Sequence, residues 1–202
     1  MKKDLQNGRS MIEMLGVLSI IGILTVGGFS LVSKAVTENK INNVIDEISA
    51  LAQHTRVVFR EFVYKCRENS SGTEKKCATG TDMTESLKKA SAYPDVLEYT
   101  TCSDSDKKCF IDNEELEMSV SFLVEDEVEY YVLKIAGPNK GVIPEDICMA
   151  IANGNWGTPA TNGFSGIAFK NDENLIGGTI GLANAAANDG CGAAKTIFLV
   201  FR

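Results

Sequence analysis

Between Gly8 and Val32 the chain reads Gly-Arg-Ser-Met-Ile-Glu-Met-Leu-Gly-Val-Leu-Ser-Ile-Ile-Gly-Ile-Leu-Thr-Val-Gly-Gly-Phe-Ser-Leu-Val, and after Glu13 no ionisable side chain occurs until Lys34. About twenty uncharged residues, rising 1.5 Å each as a helix, are enough to cross a bilayer core of roughly 30 Å. This stretch therefore reads as a membrane span, and the rest of the chain must fold as a domain tethered to it. Two bland readings compete: a secretory signal peptide and an uncleaved signal anchor. A signal peptide has an apolar core of about 7–15 residues ending at a small-residue cleavage site. Here the apolar run is longer, and Ser33-Lys34-Ala35 leads straight into a helical pattern.

The left edge of the span carries a lone carboxylate, Glu13, with Gly8 five positions before it. A charged side chain in a membrane helix costs about 2.5–3.5 kcal/mol at the bilayer centre and less near the interface, so it needs a partner and usually has a function. No lysine or arginine within the span can serve. If the chain is cut after Gly8, however, Arg9 carries a free α-amine with a pKa near 7.7–8.0. That cation is a natural partner for Glu13 of a neighbouring subunit.

These residues resemble the N-terminus of the type IV pilins and of the pseudopilins of type II secretion: a short Lys-bearing leader ending in Gly8, then Arg-Ser-Met-Ile-Glu-Met-Leu and an apolar helix. The resemblance covers about the first sixth of the chain. It implies cleavage between Gly8 and Arg9 by prepilin peptidase, N-methylation of Arg9, and a Glu13 that registers each subunit against the amine of another. Arg9 departs from the Phe or Met usual at that place. The implied architecture is α+β, the pilin fold: a long N-terminal helix packed on an antiparallel β-sheet, with a disulfide delimiting an exposed C-terminal region. The implied domains are a leader 1–8, the membrane and polymerisation half of the helix 9–33, its amphipathic half 34–66, and a periplasmic head 67–202. The implied function is a structural subunit of a pilus filament supporting adhesion, motility, conjugation or DNA uptake. The alternative is a pseudopilin whose short filament drives secretion, and the outsider an anchored periplasmic binding domain that never polymerises. Its partners would be identical subunits in a helical homopolymer, the peptidase, the assembly machinery and the inner membrane. The head would be periplasmic before assembly and extracellular after it. The Cys148–Cys191 span and the mature length look like the larger type IVb pilins, whereas the short leader looks like type IVa pilins and pseudopilins.

The remaining residues constrain the head. Two hundred and two residues with 44% apolar content allow one soluble domain beside the anchor. The formal charge is −7, and loss of a leader holding Lys2, Lys3 and Asp4 makes it −8. An acidic surface argues against nucleic acid as a direct partner. Six cysteines, Cys66, Cys77, Cys102, Cys109, Cys148 and Cys191, all lie beyond the span. An even count on one side of a membrane points to an oxidising compartment and to disulfides. Pairing neighbours, Cys66–Cys77, Cys102–Cys109 and Cys148–Cys191, is one choice among the fifteen connectivities six cysteines allow. Structural zinc is disfavoured because no Cys-x-x-Cys occurs and His54 is the one histidine. No metal or cofactor is expected, and no convergent catalytic set stands out.

Along the chain, Ile41, Val44, Ile48, Leu51, Thr55, Val58, Phe59 and Phe62 recur at spacings of three and four, so the helix is expected to continue to Cys66 with one apolar face. The pair Gly27-Gly28 is the expected place for bending, with close helix packing an equal alternative. Residues 67–101 read as a polar connection with a short helix from Met83 to Ala92, and 103–108 as a small loop between two cysteines. Met118–Val124 and Val128–Ile135 read as a hairpin across the acidic turn Glu125-Asp126-Glu127, which is a solvated turn rather than a calcium site because it lacks the spaced ligand ladder. Pro144-Glu145-Asp146 opens a helix that Asn153-Gly154 closes. Strands are then expected at Gly166–Lys170, Leu175–Thr179 and Thr196–Phe201, with Trp156 buried.

Overall fold

The computed structural model describes residues 4–68, 78–102, 107–125, 127–170, 191–192 and 194–202. The chain divides into two compact units, Met1–Asn42 and Asn43–Arg202. One helix, α1 (Asp4–Glu68), has residues in both. It starts inside the segment read as a leader, five residues before Arg9, because adding turns to an already nucleated helix is far cheaper than starting one. Neither Gly22 nor Gly28 interrupts it, and a Cβ built at Gly16, Gly22 or Gly28 would meet nothing within 4 Å.

In the second unit the helical periodicity becomes burial. Val44, Ile48, Leu51, Ala52, Thr55, Phe59 and Val63 of α1 are buried, while Asp46, Gln53, His54, Arg60 and Glu61 are exposed. This apolar stripe needs an apolar surface, which an antiparallel sheet provides. Among the described residues six strands, β1 (Glu98–Thr101), β2 (Lys108–Ile111), β3 (Glu117–Glu125), β4 (Val128–Ala136), β5 (Phe164–Lys170) and β6 (Thr196–Phe201), form one sheet in the order β1-β2-β3-β4-β6-β5. Every neighbouring pair is antiparallel. The expected hairpin is present, with β3 and β4 in unbroken register from Glu117↔Ala136 to Glu125↔Val128.

Alternation along the strands separates two faces. Phe122 of β3, Tyr131 of β4 and Phe201 of β6 share the face that meets α1: Phe59 lies 5.2 Å from Tyr131 and 6.1 Å from Phe122, centroid to centroid, and Phe62 lies 5.9 Å from Phe122. On the other face Leu123, Val132, Phe198 and Val200 form a second buried cluster. All six residues of β6 are buried, which matches the continuous apolar run Ile-Phe-Leu-Val-Phe.

Among the described residues of the head are also two short α-helices and a 3-10 turn, Pro138–Lys140. The first, α2 (Thr84–Lys89), is shorter than the expected Met83–Ala92, because the chain turns into a left-handed conformation at Ser91, and Ala92 N–H closes back on the Leu87 carbonyl. Just before it, Gly80, Thr81 and Met83 exchange backbone hydrogen bonds with Val120 and Phe122, and Thr79 bonds both backbone groups of Val124. That segment covers the edge of β3 which the short strand β2 leaves open, a usual remedy for an exposed edge. The second, α3 (Glu145–Asn153), runs as expected between Pro144 and Gly154 and buries Ile147, Cys148 and Ile151. Trp156 is buried, its indole N–H donating to the Ile151 carbonyl at 2.7 Å. Gly154 is required there, since a Cβ would sit 2.8 Å from that indole nitrogen.

Strands β1 and β2 were not expected. Each is only four residues long, and Glu-Tyr-Thr-Thr and Lys-Cys-Phe-Ile lack the apolar alternation that marks a half-buried strand. The expected strand Leu175–Thr179 lies outside the described residues.

Cys148 on α3 is joined to Cys191 just before β6, with 5.6 Å between their Cα atoms and 43 residues of separation. Both are buried. Closing a loop of that length stabilises the fold by about 4 kcal/mol in the chain-entropy model. We expect Cys148→Ala combined with Cys191→Ala to lower the thermal midpoint of the head by on the order of 10 °C, read by circular dichroism. An unchanged midpoint would mean that the bridge does not hold the C-terminal segment.

Candidate functional site: an exposed apolar helix and two cysteine pairs

The first site is a surface. From Met11 to Val36 the described side chains of α1 are exposed, including Met11, Ile12, Leu18, Ile23, Phe29 and Leu31 at 58–76%. The helix contains an 18-residue stretch of mean hydropathy 2.2, none of it buried within the chain. Contiguous apolar surface of this extent marks a lipid or protein contact. Two of its polar side chains are turned inward on the helix itself: Ser19 Oγ donates to the Leu15 carbonyl at 2.8 Å, and Thr25 Oγ1 to the Ile21 and Gly22 carbonyls at 2.9 Å. Such back-bonding lets a hydroxyl sit in an apolar medium. Glu13 is an exposed residue of this helix. Gly8 and Arg9 lie in its first turns, and nothing is described of the Arg9 side chain.

The cysteines divide into three outcomes. Cys148–Cys191 is closed. The expected Cys66–Cys77 bridge lies outside the described residues: Cys66 is at the end of α1 with its side chain undescribed, and Cys77 is not described. The expected Cys102–Cys109 bridge is a correction, since both are free thiols. The sheet register supplies the reason. Thr101 pairs with Lys108, and Cys102 N–H continues the ladder by donating to the Lys107 carbonyl at 3.0 Å. Cys109 therefore sits diagonally across from Cys102, on the same face. Diagonal neighbours have Cα atoms about 7–8 Å apart, beyond the range a disulfide spans without backbone movement.

Register also brings in a residue that sequence reasoning missed. Glu117 of β3 stands directly opposite Ile111 of β2, and Ile111 shares a face with Cys109 two residues before it. The two sulfurs and a Glu117 carboxylate oxygen all lie within 4.8 Å of one another. Cys109 and Glu117 are buried and Cys102 half-buried. Burial raises the pKa of the Cys109 thiol well above its usual value, and the adjoining Cys102 thiol and Glu117 charge push the same way; Lys134 opposes them. The Cys102 thiol is raised for the same leading reason. Spacing alone gives no hint of this group, because it depends on a hairpin whose strands were not legible.

A second buried carboxylate sits in the β2–β3 turn. Asp112 is 6% exposed, its Oδ1 accepts from the backbone N–H of Leu116 at 2.8 Å and of Glu114 at 3.0 Å, and its Oδ2 is buried with no hydrogen-bond partner among the described residues. Burial raises its pKa, the two N–H donors partly offsetting it and the Glu114 charge adding to it.

No protein-family model matches the chain, and no curated protein matches it. Among solved structures, a crystal structure of a type IVb pilin from Salmonella typhi overlaps 76% of this chain and 96% of that one, at 15% identity and a TM-score of 0.40. An overlap that loose carries no argument, so the functional reading rests on the residues of the chain itself.

The Asp112 geometry has a pH consequence. A carboxyl whose pKa is raised on folding binds its proton more tightly in the folded state, so its stabilising contribution is full below the unfolded value near 3.8 and is lost as pH rises through the folded value. Asp112→Asn keeps the acceptor for Leu116 and Glu114 and removes the buried charge. We expect it to match or exceed the parent midpoint at pH 7, by up to about 3 °C for a gain near 1 kcal/mol, and to flatten the decline above pH 4. Melting curves between pH 3.5 and 7 read this directly; a lower midpoint at pH 7 would show that the charged form is the stabilising one.

Proposed function

We propose that this chain is a pilin-type filament subunit, held in the membrane by the apolar part of α1 before assembly and packed by that same surface against other subunits afterwards. The observation that carries the reading is the combination within one helix of Gly8-Arg9, Glu13 and some twenty uncharged residues, exposed all round, leading into an antiparallel-sheet head closed by Cys148–Cys191. A helix that served only as an anchor would have no use for a carboxylate at that depth. In a bundle of such helices Glu13 would lose its water, and the α-amine of Arg9 on an adjacent subunit is the cation that the same motif supplies after cleavage. Attraction and axial register then come from one contact. A methylated amine keeps its charge, so methylation leaves this pairing intact. The closed Cys148–Cys191 bridge supports an oxidising compartment for the head.

Two measurements test the reading. Intact mass is expected to show a chain that begins at Arg9, and replacing Gly8 with a bulky residue to leave the uncut precursor. Glu13→Leu is expected to be made, cleaved and retained in the membrane at parental levels, yet to assemble few or no filaments when it is the sole copy, scored by electron microscopy of sheared surface fractions. Normal filaments from that variant would remove Glu13 from assembly and leave a tethered, non-polymerising domain as the better description.

A further inference from the structure

On the face of the sheet that carries Leu123, Val132, Phe198 and Val200, the β1–β2–β3 end carries sulfur and oxygen beside Ile111. Cys102, Cys109 and Glu117 come from three different places in the ladder, and register alone aligns them. We propose that Cys102, Cys109 and Glu117 form a binding site for a thiophilic divalent cation, with zinc the ion the donor set fits.

Four features support it. Cysteine sulfur and carboxylate oxygen are both zinc donors, with bonds of about 2.3 Å to sulfur and 2.0–2.2 Å to oxygen. A tetrahedral ion holds such donors roughly 3.4–3.8 Å apart, so donors already within 4.8 Å need side-chain movements on the order of 1 Å. Cys102 is only half-buried, which leaves a path for entry and a place for water as the fourth ligand. Charge is the fourth feature. Two thiolates and a carboxylate carry −3, the ion brings +2, and Lys134, whose charge reaches both cysteines, brings the total to zero. The register puts Lys134 opposite Ser119, two residues along from Glu117 and so on the same face. Binding displaces the two thiol protons to solvent and forms two metal–sulfur bonds, with no change of oxidation state.

The competing fate of two nearby thiols in an oxidising compartment is a disulfide, which needs an oxidant and a backbone shift to shorten the diagonal. The two fates exclude each other, and this site stands or falls independently of filament assembly. The experiment is a cobalt titration of the full chain with its thiols kept reduced and Cys148–Cys191 intact, with zinc competition, and with Cys66→Ser/Cys77→Ser as a control. Cobalt bound by thiolate gives a near-ultraviolet charge-transfer band. We expect one equivalent per chain, reversed by zinc, unchanged in the control, abolished in Cys109→Ser and in Cys102→Ser, and tenfold or more weaker with the band retained in Glu117→Gln. Cys102→Ser, at the half-exposed position, keeps the test valid if Cys109→Ser fails to fold. A parent protein without the band, a band that survives both cysteine variants, unchanged affinity in Glu117→Gln, or a Cys102–Cys109 disulfide in peptide maps of protein taken from the cell envelope would each overturn the proposal.

Discussion

Burying the Tyr131 ring between Phe59 and Phe201, at 5.2 and 5.1 Å, obliges its hydroxyl to find an acceptor inside the protein, and it takes the Ala52 carbonyl of α1 at 3.2 Å. Ala52 and Phe59 are two helical turns apart on one face. The same tyrosine therefore contacts the helix at two heights, once through its ring and once through its oxygen. A purely apolar contact would tolerate sliding along the helix axis; a buried hydroxyl with one acceptor does not, because a slip would leave it unpaired at about 1–3 kcal/mol. Burial raises the Tyr131 pKa as it should for a phenol held in such a place. Phe122, with Phe59 and Phe62 beside it, continues the contact across β3.

How far the sequence foretold this arrangement depends on how many residues carried each signal. Strand β6 is six consecutive buried residues and was legible to the residue; β3, β4 and α3 were legible within one or two, because each is long and bounded by turn chemistry such as Pro144 and Gly154. Strands β1 and β2 are held by their neighbours rather than by their own pattern, so a local reading left them as loop. The acceptor role of Ala52 and the clustering of Glu117 with two thiols are consequences of register, and register is a tertiary property. Of the candidate site residues, Glu13 stood out because a charge inside an apolar run is conspicuous in one dimension, whereas Glu117 is one glutamate among many until the sheet is built.

A single helix carries two different distributions of apolar side chains in this chain. Past Val44 most of its apolar residues recur on one face and are buried against the sheet, with Val57 and Tyr64 left exposed. Before Lys34 apolar residues occupy every face, and Ser19 and Thr25 hand their hydroxyl protons to the backbone one turn earlier. The two parts meet the demands of an apolar contact by opposite distributions of side chains, apolar on every face before Lys34 and apolar on one face past Val44. Gly16, Gly22 and Gly28 fit the apolar part of the helix better than glycines would fit its sheet-bound part. With open space where their Cβ atoms would be, they have no packing role within the chain, and such positions in a membrane helix are where another helix can approach closely.

The different states of Cys148–Cys191 and Cys102–Cys109 reflect what each bridge would add. Residues 148 and 191 belong to segments with no mutual strand pairing, and a covalent link between them removes about 4 kcal/mol worth of unfolded-state freedom. Cys102 and Cys109 close a loop of only seven residues, for which the same relation gives roughly 2.4 kcal/mol, and the ladder through Thr101↔Lys108 already brings its ends together. A disulfide there would add little order and would work against the diagonal geometry of the hairpin. The side chains gathered beside it, Glu117 and Lys134, are also of no use to a sulfur–sulfur bond, which is neutral and apolar. They do suit a site whose charge must be balanced, and that is the physical reason to read the pair as ligands rather than as a failed bridge.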